Sequence, residues 1–82
     1  MEAALITFVN EEILAGHGEV TGDDEIVLDG TLDSLGVARL IGFIEAEFAV
    51  TVPAQDVTIE HFRTINTMAD YVRRRVDAES VA

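Results

Sequence analysis

Apolar side chains recur at helical spacing along most of the chain, and this pattern predicts a small helical bundle. The first predicted helix covers residues 2–15, and its apolar stripe consists of Leu5, Ile6, Val9 and Ile13. Gly16 follows as a residue suited to end it, because glycine adopts the left-handed backbone conformation without strain. Residues 77–82 have no such stripe, and we expect an ordered domain over residues 1–77 with a disordered tail at residues 78–82.

The second predicted helix covers residues 34–49, with Asp33 as its N-cap. One of its sides is expected in the core and consists of Val37, Leu40, Ile41, Ile44 and Phe48. The opposite side is also apolar but small, and it carries Leu35, Ala38, Gly42, Ala46 and Ala49. A domain of this size cannot bury a helix on every side, so the small side predicts a face for a partner protein. The alternative is that these residues are ordinary helix surface.

Two further helices complete the predicted bundle after Val52-Pro53 ends the second pattern. Asp56 is expected to cap a short helix from Val57 to Phe62, and Thr64 a last helix from Ile65 to Val76. The predicted fold class is all-α: a small four-helix bundle with three main helices, one short helix and a long first loop. That loop, residues 16–33, contains the apolar residues Ile26, Val27 and Leu28, which predict packing against the helices; a short strand at 25–28 is the competing interpretation.

Charge narrows the classes of partner. The 82 residues include 16 acidic and 5 basic side chains, and the formal net charge is -11. This charge disfavours nucleic acid and anionic membranes as ligands, whereas a cationic protein is the natural complement. The alternative is that the charge serves only solubility. The chain has no cysteine and no long apolar run, which excludes thiolate chemistry and predicts neither a signal peptide nor a membrane span; we expect a cytoplasmic protein.

Ser34 is the candidate for chemistry, because it stands where the long loop meets the second helix. The start of a helix offers free N–H groups and a positive dipole end, both of which favour an attached phosphate. A catalytic serine needs a base, and neither His17 nor His61 stands in a recognisable triad pattern. Two separated histidines do not predict a metal site, and the acidic loop lacks the calcium-binding spacing, because Gly36 falls where its last acidic ligand is required.

The run from Glu25 to Gly36, with Asp33-Ser34-Leu35 near its end, resembles the sequence around the modified serine of acyl carrier proteins. Other stretches are similar to that family in order and spacing, over about residues 3–76: Ile44-Glu-Ala-Glu-Phe48, Val52-Pro53, Asp56, Glu60-His-Phe62, Thr64-Ile65 and Tyr71-Val72. The resemblance implies a non-catalytic carrier. A phosphopantetheinyl transferase would move a 4′-phosphopantetheine arm from coenzyme A to Ser34, between Asp33 and Leu35, and the arm would carry an acyl group as a thioester.

The resemblance also implies sites for partners and cargo on a monomeric carrier. Partner enzymes, such as an acyltransferase, a ketosynthase or an adenylating ligase, would dock on the second and third helices at Leu35, Ala38, Arg39, Gly42, Glu45, Ala46 and Glu60. An acyl chain would lie between the helices against Ile41, Ile44, Val57, Ile59 and Met68. Phe43 stands where many family members have a smaller residue, and it would restrict this pocket.

Two departures from fatty-acid carriers affect the expected pathway. Gly36 and Arg39 stand where many of those carriers have acidic residues, which softens the negative charge of the second helix. A dedicated natural-product pathway, such as polyketide biosynthesis, is therefore favoured. The alternatives are a primary fatty-acid carrier, an aminoacyl or peptidyl carrier and, from a different class, an unmodified acidic helical module for protein interactions.

Overall fold

The structure is a computed structural model that describes residues 1–80. Helix α1 (Glu2–Phe8) continues directly into a π-helical turn, Val9–Ile13, in which the Leu14 N–H donates to the Val9 carbonyl over 2.8 Å. Ala15 and Gly16 then take positive φ angles of 52° and 80°, which reverse the chain. The first helical segment therefore ends two residues before the predicted boundary, and the turn that ends it uses Ala15 as well as Gly16.

Helix α2 (Ser34–Phe48) begins as the sequence predicts. The Gly36 N–H donates to the Asp33 carboxylate over 2.7 Å, so Asp33 is the N-cap. At the other end, Ala49 has a φ of 54°, which turns the backbone out of the helix one residue before its predicted end. Glu45 then accepts a hydrogen bond of 2.9 Å from the Val52 N–H and holds the following segment against α2.

The short helices differ from the prediction in register. Residues Ala54–Asp56 form one 3-10 turn, and helix α3 covers Ile59–Phe62 with Thr58 before it. The predicted cap at Asp56 is therefore wrong. Its carboxylate instead accepts a hydrogen bond of 2.6 Å from the Tyr71 hydroxyl. Sequence reasoning could not find this pairing because it joins residues 15 positions apart.

Helix α4 (Ile65–Ser80) starts after Thr64, whose hydroxyl accepts from the Thr67 N–H over 3.1 Å, as predicted for its cap. It continues beyond the predicted end at Val76, and residues 78–80, expected in a disordered tail, are its last residues. The Glu79 carboxylate accepts from the Arg75 guanidinium one turn back and from the Thr51 N–H. Residues 81–82 of the predicted tail lie outside the described part of the chain.

The core draws on every long helix and on the first loop. Its fully buried members include Leu5 and Val9 from the first helical segment, Ile26 from the loop, Leu40 and Ile44 from α2, and Ile65, Met68, Ala69 and Val72 from α4. The predicted apolar anchor in the loop is thus Ile26, whereas Leu28 is 56% exposed. Residues 26–29 form a turn, so the competing strand at 25–28 is wrong, and the described residues contain helices and no strand.

The loop that precedes α2 is fastened to the start of α4. The Asn66 N–H donates to the Gly22 carbonyl over 3.0 Å, and its side-chain amide donates to the Asp23 carboxylate over 2.7 Å. Arg63 forms an ion pair with Glu25 in the same region. These contacts hold the long loop in place up to the residue where α2 begins. None of the described helices is both long and apolar enough to cross a membrane.

Candidate functional site

Ser34 is the first residue of α2, and its side chain is exposed. Within residues 1–80, no hydrogen bond holds its hydroxyl. The Asp33 side chain satisfies the Gly36 N–H, and the Asp33 carbonyl accepts from the Val37 N–H over 2.9 Å. The backbone on both sides of Ser34 is therefore fixed while its hydroxyl stays accessible at a helix N-terminus.

An apolar depression opens beside this serine. One cavity of about 510 Å³ is lined by Val27, Leu32, Asp33, Ser34, Val37 and Val57. A second, of about 150 Å³, continues toward α3 and is lined by Val27, Val37, Val57, Thr58, Ile59 and Phe62. Three valines are common to both cavities, so they form one surface, which we call the Ser34 groove. It can accept an extended, largely apolar group attached at Ser34.

Two of the five residues predicted to line an acyl pocket lie in the Ser34 groove, namely Val57 and Ile59. Ile44 and Met68 are instead completely buried in the core, and Ile41 packs against that core without lining either cavity. The helical wheel could not tell core residues from pocket residues, because both kinds of residue lie on the same apolar side of α2. The loop residues Val27 and Leu32 were missed as lining residues, although the apolar composition of their loop was a signal.

Phe43 lies on a different side of α2 from the Ser34 groove. Its ring stacks on Phe8 of α1 with centroids 4.5 Å apart and lies nearly perpendicular to the ring of Phe48, with centroids 6.2 Å apart. It lines neither cavity of the Ser34 groove. The prediction that Phe43 restricts the pocket therefore does not hold for this groove.

The small side of α2 is open in the structure. Leu35 is 69% exposed, and the other members, Ala38, Gly42, Ala46 and Ala49, are exposed as well. On the core side of the helix, Leu40 and Ile44 are fully buried, and Val37, Ile41 and Phe48 pack against the core. The two predicted sides of α2 are therefore confirmed as core and surface.

The charged residues predicted for docking have different environments. Arg39 is exposed, with its guanidinium 3.8 Å from the Glu12 carboxylate of the π turn. Glu45 is partly buried and engaged with the Val52 N–H, which makes it a structural residue. Glu60 is exposed on α3, close in sequence to Ile59, which is 50% exposed. Leu28 of the first loop is a further exposed apolar residue, which sequence reasoning did not assign to a partner site.

The described residues contain no base positioned to activate Ser34. His17 is exposed in the first loop, and the His61 ring lies 4.6 Å from that of Tyr71; neither residue lines the Ser34 groove. Residues 1–80 contain no group of three or more histidine and acidic side chains that could hold a metal ion. The site can therefore present Ser34 to another protein's chemistry, since a serine without a base is a weak nucleophile.

Comparison with known proteins agrees with this geometry. The family model described as "Phosphopantetheine attachment site" matches residues 4–72, which is most of the chain. Among solved structures, a chain from "Crystal structure of FAD-dependent dehydrogenase" is 27% identical and superposes with a TM-score of 0.79. The match covers 84% of this chain and 99% of that one, so the two chains are of similar size.

Proposed function

The chain belongs to the phosphopantetheine-binding carrier family, whose members carry 4′-phosphopantetheine, and we propose that Ser34 is the residue that bears this group. One observation supports the proposal above others: Ser34 is exposed at the capped start of α2, beside the apolar Ser34 groove. A phosphodiester at this position is favoured by the N–H groups and dipole of the helix. The bound group supplies a terminal thiol, which holds an acyl cargo as a thioester.

The residues of this chain position the group and leave the chemistry to partner enzymes. Asp33 fixes the first turn of α2 through the Gly36 N–H, so the backbone that carries the Ser34 side chain has a defined conformation. The valines and Ile59 of the Ser34 groove offer an apolar surface to the attached arm and its cargo. A phosphopantetheinyl transferase would supply the base that removes the hydroxyl proton of Ser34, because within residues 1–80 neither histidine lines the Ser34 groove and the Asp33 carboxylate is held by the Gly36 N–H.

The attachment site is tested by an intact mass measurement. The protein is incubated with coenzyme A, magnesium and a broad-specificity phosphopantetheinyl transferase. We expect wild type to gain the mass of one arm and Ser34→Ala to gain none, because only the Ser34 hydroxyl accepts it. A carrier known to be modified serves as the positive control. If the wild type stays unmodified while that control is modified, the alternative of an unmodified acidic interaction module is favoured.

We further propose that partner enzymes dock on the small side of α2, where Leu35, Ala38, Gly42 and Ala46 are exposed. Small side chains let the surface of a partner approach the helix closely. The proposal predicts that Ala38→Glu slows modification of Ser34 by the transferase at least about tenfold, since it buries an unpaired charge in the contact. Asp70→Glu, a conservative change on α4, is the control. Equal rates for both variants, with unchanged helical circular dichroism, would remove this face from the proposal.

The pathway is proposed at a finer level from two different observations. Gly36 and Arg39 reduce the acidity of α2, which favours a dedicated natural-product pathway with an acyltransferase and a ketosynthase as partners. The similarity to a chain in the structure of an FAD-dependent dehydrogenase favours a second possibility, in which the attached cargo is the substrate of a flavin-dependent dehydrogenase. Sequencing the genes beside this one separates the two, because each pathway requires a different set of enzymes.

A further inference from the structure

A second depression lies between α1 and α2, at the other end of α2 from Ser34. It has a volume of about 410 Å³ and is lined by Ala3, Ala4, Thr7, Phe8, Glu11, Glu12, Phe43 and Glu47. We call it the α1–α2 groove. It shares no residue with the Ser34 groove. With a rise of 1.5 Å per residue, Phe43 and Glu47 lie about 14–20 Å from Ser34 along the helix axis.

The floor of the α1–α2 groove is aromatic. The rings of Phe8 and Phe43 are stacked, with an interplanar angle of 18°, and both residues are only partly buried. Ala3 and Ala4 on α1 are small, so they leave the approach to these rings open. The stack covers one face of each ring, so the groove offers the remaining, partly exposed ring surface to a bound group.

The rim of the groove is acidic. Glu11 and Glu12 belong to the π turn of the first helical segment, and Glu47 belongs to the last turn of α2; all three are exposed. Among the ion pairs of residues 1–80, one involves this rim, the pair between Arg39 and Glu12 at 3.8 Å. Both of its side chains are about half exposed, so this pair contributes little, and three carboxylates face the groove with one cation nearby.

We propose that the α1–α2 groove binds an arginine side chain presented by a partner protein. A guanidinium is planar, stacks on aromatic faces and donates to several carboxylates at once, which matches this floor and this rim. A lysine ammonium matches only the charge. The net charge of -11 attracts such a partner from a distance. An arginine bound here would not contact Ser34, because the two grooves share no lining residue, and the proposal does not depend on what Ser34 carries.

The test is a titration of ¹⁵N-labelled protein with a peptide, alanine–leucine–arginine–leucine–alanine, blocked at both ends. We expect chemical-shift changes concentrated in residues 3–12 and 43–47. Replacing the arginine by citrulline, which keeps the shape and removes the charge, should abolish them, and lysine should bind more weakly. Ser34→Ala should bind the arginine peptide like wild type, which separates this proposal from the attachment site.

Variants of the protein sharpen the result. Glu47→Gln should weaken binding about two- to fivefold, since each exposed ion pair contributes modestly. Glu60→Gln, which removes the same charge outside the groove, should change nothing. Phe43→Leu should weaken binding further, and circular dichroism checks that it is folded. The proposal is overturned if the citrulline peptide binds equally well, if the shift changes spread over Asp23–Glu25, or if Glu47→Gln and Glu60→Gln behave alike.

Discussion

Gly36 shows how a single residue serves the geometry of the attachment site. It is buried, and its N–H donates to Asp33 over 2.7 Å. A Cβ atom there would lie 3.2 Å from Leu32 Cδ2 and 3.3 Å from Asp33 Oδ1, so Leu32 and the capping carboxylate would have to move by a few tenths of an ångström. An Asp N-cap contributes about 0.5–2 kcal/mol to helix stability, so a side chain at position 36 that displaces the Asp33 carboxylate would lower the stability of α2.

Tyr71 is a second residue whose role depends on the fold. Its side chain is buried, and its hydroxyl donates to the Asp56 carboxylate over 2.6 Å. Burial, with the Asp56 hydrogen bond as a further cause, raises the pKa of the Tyr71 phenol from 10.0 to about 12. The phenol is therefore harder to ionise in the folded state than in the unfolded chain.

The raised pKa predicts how stability changes at high pH. Below pH 10 the phenol is neutral in both states, so its contribution to stability is complete. Between pH 10 and about 12 the unfolded chain loses the proton and the folded chain keeps it, so the free energy of unfolding should fall. Urea unfolding against pH measures this, and tyrosinate absorbance reports the group directly, because the chain has one tyrosine and no tryptophan.

The control for this prediction is Tyr71→Phe, which has no phenol to ionise. At pH 10 its free energy of unfolding should be lower than that of the wild type, because the hydrogen bond to Asp56 is lost. Between pH 10 and 12 that free energy should change less than in the wild type. The absence of lysine from the sequence keeps other titrations out of this window. A wild-type tyrosine that ionises near pH 10 in the folded protein would contradict the prediction.

At the scale of elements, the first loop depends on α4 for its conformation. Gly22 lies against Asn66, whose backbone N–H donates to the Gly22 carbonyl and whose side chain donates to Asp23. The loop in turn supplies Val27 and Leu32 to the Ser34 groove. The contacts of Asn66 therefore hold one wall of the attachment site, although none of its atoms lines the groove.

A matched pair of glycine substitutions tests this dependence. In Gly22→Ala, the new Cβ would lie 2.5 Å from Asn66 Oδ1, so the Asn66 side chain must move and its hydrogen bond to Asp23 is lost. We expect a loss of about 1 kcal/mol in the free energy of unfolding. Gly42→Ala, which meets no atom within 4 Å on the surface of α2, should instead gain about 0.5–1 kcal/mol.

Urea unfolding monitored by circular dichroism measures both variants, and they should shift the midpoint in opposite directions. Equal shifts would mean that the contact between the loop and α4 contributes nothing to stability. The comparison isolates the loop because both variants add the same methyl group.

At the scale of the whole molecule, α2 serves two grooves with different chemistry. Its first turn presents Ser34 beside an apolar surface, and its last turns present Phe43 and Glu47 beside α1. Arginines at positions 63, 73 and 75 pair with acidic side chains of this chain, which leaves the acidic excess on the surface. This distribution of charge favours partner proteins with basic side chains, which would bind at the surface.

The sequence alone determined where the three main helices lie to within a few residues, that Asp33 caps α2, and that α2 has a core side and a surface side. These properties follow from local periodicity and capping chemistry, which act within a few residues. The end of α4 was predicted too early because the apolar stripe stops at Val76, whereas the contacts of Glu79 with Arg75 and Thr51 continue the helix.

Tertiary structure decided which apolar residues line a groove and which fill the core. Ile44 and Met68 have the same hydrophobic character as Val57 and Ile59, yet the first two are buried and the last two line the Ser34 groove. The difference depends on how the loop, α2 and α3 pack, and so does the partnership of Phe8 with Phe43. Contacts between residues distant in sequence leave no periodic pattern, so only the packed chain reveals them.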